Sequence, residues 1–333
     1  MSKILVGSNF TGFKNRIING DFKVWQRGAS ASFVATGTAS AFGYIADRFY
    51  HSAYSDTAGG FIVEPSNIEG SSSIKITVDT AFTNASTASY WRPLKYTFEG
   101  QHLYDIAAKS GYVTISFLFR SNVAGKYSVS MRNMTDTTVQ FQSFVTTFDY
   151  TASGVPQRIE IVVPLNHVWN PLLRDDENRG FDMDIAFLNY GNYATATLNQ
   201  WQDLNVLTVS DAVNWGAAVG NYIEIAELQL EEGKYVTSFE KVPYDIQLLR
   251  CQRYYCDLQS VYLLRYADVS TAFAQVSLPV QMRVNPTVER YAETLIDMSF
   301  FASYTDKNLL TEYYTIDAAG GYGSIYVRLY AEL

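Results

Sequence analysis

Residues 112–121 read YVTISFLFRS, and their alternation decides the fold. Val113, Ile115, Phe117 and Phe119 fall on one face of an extended chain, with Thr114, Ser116 and Leu118 on the other. A period of two is the mark of a strand with one face in a core. Working outward, the same character returns in FIVEP (61–65), SIKITVDT (73–80), KYSVSMRN (126–133), TVQFQSFVTTF (138–148), RIEIVVPL (158–165), FDMDIAFLNY (181–190) and NYIEIAELQLEE (221–232). Gly, Pro, Asn and Asp clusters separate these runs. Many short strands with few helical periods predict an antiparallel sandwich. The Ser-, Thr- and Ala-rich stretch from 60 to 90 is expected to be loop between strands rather than a linker.

Two helices are predicted. GQHLYDIAAKSG (100–111) places Leu103, Ile106 and Ala107 at helical spacing and ends at Gly111. YDIQLLRCQRYY (244–255) offers Asp245 as a cap and Leu248, Leu249 and Cys251 as an apolar side, with Arg250 and Arg253 outward. Strand patterns resume in SVYLLRYA (260–267), TAFAQVSLPV (271–280), TEYYTIDA (311–318) and SIYVRLYAEL (324–333). Pro243 precedes the second helix, so a domain boundary is placed near 241–250.

Composition bounds the function. Of 333 residues, 47% are hydrophobic and 17% charged, which supports a sizeable core. The net charge of −8 and the absence of a Lys/Arg run argue against a nucleic-acid partner. No run approaches the ~20 apolar residues of a membrane span, so membrane insertion is not expected. The opening MSKILVGSNF lacks the pattern of a secretory signal, and synthesis in a cytoplasm is expected. Cys251 and Cys256 are badly spaced for a disulfide on a helix, and with His51, His102 and His167 they lack zinc-site spacing. Both cysteines are expected to be packed as small hydrophobes.

Catalytic signatures are missing: there is no phosphate-binding glycine loop and no Gly-x-Ser-x-Gly elbow. Asp175, Asp176 and Glu177 could offer calcium ligands but lack dedicated spacing, and read as a solvated turn. Glu231 and Glu232 are adjacent, so in a regular strand they point to opposite faces and cannot act as a glycosidase pair. They are expected to close a strand before Gly233. Trp91, Trp169, Trp201 and Trp215 lie in or near expected loops and strand ends, where a ring could stack on a sugar. Tryptophan is commonly a core residue, so at least one of the four is expected to face a ligand, and which one is left open.

NRIINGDFKVWQRG (15–28) followed by YIADRF (44–49) resembles a family of bacteriophage tail-fibre and receptor-binding proteins. FEGQHLYDIAAKSGYVTISFLFRS, IEIAELQLEEGKYVTSFEKVPYDIQLLRCQRYY and LPVQMRVNPTV are similar to later segments of that family, so the likeness spans about residues 15 to 290. The resemblance implies a jelly roll like carbohydrate-binding modules, then a helix and a second small β domain, in a virion structural protein that is usually a homotrimer. In related sandwiches carboxylates and carbonyls near the first and last strands hold a structural calcium, which would fall here to Asp21 and Glu227. Residues 1–14 would form an arm, where family members carry a long attachment region; either the arm inserts into a neighbouring protein or another surface docks. From the residues themselves, Asn19 and Gly20 suit a turn into a strand, and Arg27, Asp47 and Arg48 suit charged pairs.

The expected organisation is therefore an arm (1–14), an all-β antiparallel jelly-roll sandwich (15–243), and a linking helix with a small β domain (244–333). The expected function is non-enzymatic: a phage tail-fibre or spike subunit that binds a host-surface glycan and contacts other virion proteins. The alternatives are an adaptor or head/tail decoration protein with protein contacts only, and a polysaccharide-degrading spike.

Overall fold

The computed structural model describes residues 12–333 apart from 36–38, 56–58, 83–88, 110, 135–141, 152, 166–174, 190, 263, 266–270 and 317–321. The chain divides into two compact units, one ending at Val242 and the other running Pro243–Leu333. In chain order the first holds β1 (Ala31–Ala35), β2 (Ala39–Tyr44), β3 (Phe49–Ser55), β4 (Gly59–Ile68), β5 (Ser71–Thr80), β6 (Tyr90–Glu99), helix α1 (Gln101–Lys109), β7 (Tyr112–Ser121) and β8 (Gly125–Asn133). It continues with β9 (Gln142–Tyr150), β10 (Gln157–Pro164), β11 (Arg179–Ile185), β12 (Leu188–Asn189), β13 (Trp201–Gln202) and β14 (Tyr222–Glu232).

These strands form an antiparallel jelly-roll sandwich. One sheet runs β1-β4-β5-β14-β7-β10, and the facing sheet runs β13-β9-β8-β11-β6-β3-β2 with β12 added beside β6. The alternation in β7 is realised: Val113, Ile115, Phe117 and Phe119 are all buried in the common core. Tyr127, Val129 and Met131 on β8 and Phe181, Met183 and Ile185 on β11 meet them from the other sheet. The stretch from 60 to 90 departs from expectation, because β4 and β5 occupy most of it. Its small polar residues serve the outer face of a strand, where Ser73 Oγ donates to buried Glu224 at 2.7 Å.

The opening motif is a clasp and not a strand. Asn19 stands at φ 61°. Its Nδ2 donates to the carbonyls of Val24 and Asp47, and its Oδ1 accepts from Val24 N, all at 3.0 Å. Gly20 must be glycine, since a Cβ there would lie 2.1 Å from the carbonyl oxygen of Leu228. Arg27 pairs with Asp47 at 3.1 Å as expected, and Arg48 Nη2 donates to the carbonyl of Thr97. Glu231 and Glu232 point to opposite sides, one buried and one exposed. Glu231 accepts from Thr237 N and Oγ1, while Glu240 accepts from the amides of Lys14 and Asn15, so the chain after β14 is fastened back onto the sandwich.

His51 sits in the core among the rings of Phe33, Phe61 and Trp91. Burial pushes the imidazole down to about 4 from 6.5. The unfolded chain therefore binds the extra proton between those values. Stability is fully present above pH 6.5 and falls as pH drops towards 4, by about 3 kcal/mol. Urea unfolding of the wild type and of His51→Phe at pH 7 and pH 4 checks this; the variant should lose markedly less stability across that interval. Equal losses would remove His51 as the source.

The second unit opens with α2 (Tyr244–Gln252), followed by β15 (Tyr255–Tyr262), β16 (Leu264–Arg265), β17 (Thr271–Ser277), β18 (Thr287–Ile296), β19 (Met298–Thr305), β20 (Leu309–Ile316) and β21 (Tyr322–Tyr330). Its sheets run β15-β21-β18 and β16-β17-β20-β19. Asp245 does not cap α2: Pro243 holds the N-cap position without a side-chain bond, and Asp245 lies in the first turn, where its charge favours the helix dipole. The helix buries Gln247 and Cys251, four residues apart, while Leu249 is exposed. Cys251 and Cys256 are both buried, and neither is joined in a disulfide. The MetArg pair of the later motif divides its work: Met282 enters the core, and Arg283 donates to the carbonyls of Ala331 and Glu332 at 2.7 Å.

Candidate functional site

The outer face of the sheet containing β6 is polar because of the same alternation that fills the core. On β11, Phe181, Met183 and Ile185 point inward, so Asp182 and Asp184 emerge outside. Asp182 lies opposite Thr97 on β6 and Arg132 on β8; Asp184 lies opposite Lys95 and Ser130. Pairing of β3 with β6 shifts between Tyr50, opposite Lys95, and Ser52, opposite Arg92. Pro93 occupies this irregularity, one of the few places where a sheet tolerates proline. The extra residue brings Arg92 and Lys95 out on the same face.

A buried ion network results. Asp182 accepts Thr97 Oγ1 at 2.8 Å, Arg132 Nη2 at 3.1 Å and Arg179 Nε at 3.1 Å, with Lys95 Nζ at 3.4 Å. Asp184 pairs with Arg92, whose Nη2 donates to one oxygen at 3.2 Å while Nε lies 2.5 Å from the other. Arg132 Nη1 donates to Asn205 Oδ1 at 2.7 Å. Burial alone would push the Asp182 carboxyl up, but Lys95, Arg179, Arg92 and Arg132 together hold it well below the usual carboxylate range. Burial draws Lys95 down to about 8 despite Asp182. Burial likewise raises the Tyr50 and Tyr90 phenols, which stay neutral and able to donate at neutral pH.

Residues 191–213 build a wall over one part of this face. Leu198 and Ala212 pack against a small core of Val145, Val206 and Val209, Ser143 Oγ donates to the Leu204 carbonyl, and Val213 N donates to the Lys126 carbonyl. Between wall and sheet lies a cleft of about 170 Å³ lined by Tyr90, Arg92, Arg132, Phe187, Tyr193 and Leu207. Tyr90 stacks on Phe187 with centroids 5.9 Å apart and planes at 14°, and Tyr193 meets both rings edge-on. Tyr54 stacks beside Tyr90 at 6.3 Å. A ring floor edged by guanidinium groups can hold the apolar face of a sugar and donate to its hydroxyls.

The tryptophans expected to bind ligand are elsewhere. Trp91 and Trp215 are 0% exposed; each is enclosed by other rings, Phe61 stacking on Trp215 and meeting Trp91 edge-on, so neither has a face for a sugar. Trp201 is half-buried, packs on Phe144 and Phe181, and donates Nε1 to the Pro164 carbonyl at 2.5 Å. Trp169 lies outside the described residues. The Asp21–Glu227 calcium arrangement does not fit the geometry. Both Glu227 oxygens are used, accepting Ser71 Oγ at 2.7 Å and Arg158 Nη1 at 2.8 Å. Asp21 pairs with Lys23 at 3.1 Å and keeps one buried oxygen without a partner. Among the described residues no group of three or more His, Cys, Asp or Glu side chains gathers as a metal site.

No protein-family model matches the chain, and no curated protein does. Among solved structures, part of the chain is similar to the enzymatically active domain of tailspike protein 4 of bacteriophage CBA120, at 10% identity and a TM-score of 0.32, over 66% of this chain and 21% of that one. It is also similar to a family 11 carbohydrate-binding module from a cellulosomal cellulase of Clostridium thermocellum, at 13% identity and a TM-score of 0.31, over 65% of this chain and 94% of that one. A xylan-binding family 22 module of Paenibacillus barcinonensis matches at 8% identity and a TM-score of 0.32, over 67% of this chain and 96% of the module. The matched segment thus spans about a fifth of the tailspike and nearly all of each binding module.

Proposed function

We propose that this chain is a non-catalytic glycan-binding subunit of a bacteriophage virion, a tail fibre or spike that attaches to a host-surface saccharide through the cleft beside β6. The observation that carries this reading is the pair of half-buried rings Tyr90 and Tyr193, backed by buried Phe187 and set against Arg92 and Arg132. The nearest carboxylates support binding over cleavage: Asp182 is encircled by cations and held ionised, and Asp184, although burial pushes its carboxyl up, is paired with Arg92, so the two carboxyl groups do not form the acid and nucleophile-or-base pair of glycoside cleavage. Assembly as a homotrimer belongs to the same reading, because copies of a weak site gain through effective concentration.

Tyr90→Ala is expected to weaken binding to the recognised saccharide by about tenfold or more. Glycan-array binding followed by titration calorimetry with the wild type and the variant measures it. Failure of the wild type to bind any saccharide, or undiminished adhesion to cells stripped of surface polysaccharide, would sink the proposal. Release of reducing ends from host polysaccharide would move it to a degrading spike.

An adaptor that makes only protein contacts is the second reading, and one feature favours it. In the second unit, Phe301 and Tyr304 on β19 are 69% and 63% exposed, with Ile296 of β18 also exposed, large apolar side chains that a protein contact would cover.

A further inference from the structure

The charge around the cleft is opposite to that of the whole chain. Arg92, Lys95, Arg132 and Arg179 cluster about two carboxylates, Asp182 and Asp184, in a protein whose net charge is −8. The next acid along β6, Glu99, is hydrogen-bonded by Gln101 at the far end of the strand. Two of the four cations, Arg92 and Arg132, line the cleft itself. Arg92 donates Nη2 to Asp184 and holds Nε close to its other oxygen without a hydrogen bond, and Nη1 has no protein partner among the described residues. A buried guanidinium held on one side by an ion pair presents its remaining donors in a set direction, so little entropy is lost when it engages an acceptor. Tyr90, with a neutral phenol, stands beside it.

From this surplus and the directed Nη1 group we infer that the cleft takes an anionic sugar, one whose carboxylate, sulfate or phosphate is met by Arg92 and Arg132 while its ring rests on Tyr90 and Tyr193. This rests on the glycan-binding reading above and names its ligand class. The shared chemistry is an oxyanion on a saccharide ring. A neutral glucan or xylan would leave Nη1 of Arg92 facing a ligand with only hydroxyls to offer.

The test pairs acidic saccharides with neutralised counterparts on the full chain: oligogalacturonate against its carboxyl-reduced form, a hyaluronan hexasaccharide against its methyl ester, and chondroitin sulfate against desulfated chondroitin. At least one acidic member should bind about tenfold tighter than its counterpart. That preference should shrink as salt rises from about 0.05 M to about 0.5 M. Arg92→Gln should bring the ratio close to unity. Because that change strands Asp184, the double variant Arg92→Gln/Asp184→Asn, which keeps a hydrogen-bonded pair, repeats the measurement in a fold with no stranded charge. Binding to neutral members with no acidic preference would overturn this inference and leave glycan binding standing. No binding to any saccharide would overturn both.

Discussion

Asp182→Ala is expected to destabilise the N-terminal unit by about 3–5 kcal/mol, the cost of leaving buried charges without their counter-ion. Asp182 is 0% exposed and meets Lys95, Arg132 and Arg179 at once. Arg179 is partly exposed and can turn to water, whereas Lys95 and Arg132 are buried and cannot. Lys95, already drawn to about 8, would lose the charge that most opposes its burial. Asp182→Asn, which retains an acceptor for Thr97 and Arg132, should cost less than alanine. Combining Asp182→Leu with Lys95→Met should recover part of the loss, since apolar replacement of a buried ion pair can be close to neutral. Denaturant unfolding at pH 7 measures all three, and a loss under about 1 kcal/mol for the alanine variant would show that water reaches the network. The sign with pH is fixed by the lowered carboxyl: the stabilisation is present above its ordinary value of 3.8 and disappears as pH falls through its folded value. It is therefore lost at lower pH than the His51 contribution, which is already fading between 6.5 and 4.

How far the sequence could be read depends on whether the signal lay in spacing or in contact. Strands were legible because period-two burial is written directly in residues such as Val113, Ile115, Phe117 and Phe119, all of which enter the core. Opposite orientation of Glu231 and Glu232 followed from the same rule. Positions 60–90 misled because serine and threonine suit loops and outer strand faces alike, and only the partner, such as Glu224 for Ser73, tells them apart. In the second helix Cys251 packs inward as its spacing suggests, but the residue buried with it is Gln247, while Leu249 is exposed. The cleft was harder still. Tryptophan is the conspicuous sugar-stacking residue, but its size also makes it a core filler, and Trp91 and Trp215 went inward. Tyr90, Arg92, Arg132, Phe187 and Tyr193 come together from separate segments through sheet pairing, which local pattern does not encode. Two signals pointed towards them: carboxylates alternating with Phe181, Met183 and Ile185 in FDMDI, and a proline within the strand sequence YWRPL.

Trp91 supplies the second large effect and separates a core residue from a ligand platform. Its indole is enclosed by Phe61 at 4.9 Å and Phe82 at 5.1 Å between ring centroids, with His51 beyond. Trp91→Ala should cost about 3–5 kcal/mol, combining lost apolar burial with the cavity left behind. The neighbouring glycine makes this assignment testable as a coupling. A Cβ at Gly59 would lie 2.3 Å from Trp91 Cζ2 and 2.9 Å from Cη2, so Gly59→Ala alone must displace the indole and should cost about 1–3 kcal/mol. In a Trp91→Leu background the added methyl meets no indole and fills part of the vacated space. The double variant should therefore be more stable than the sum of the single losses predicts, by about 1–2 kcal/mol. Four unfolding curves at one pH complete the cycle. Additivity within about 0.5 kcal/mol would mean that Gly59 and the indole do not compete for the same volume, and would remove the packing argument that takes Trp91 out of the binding site.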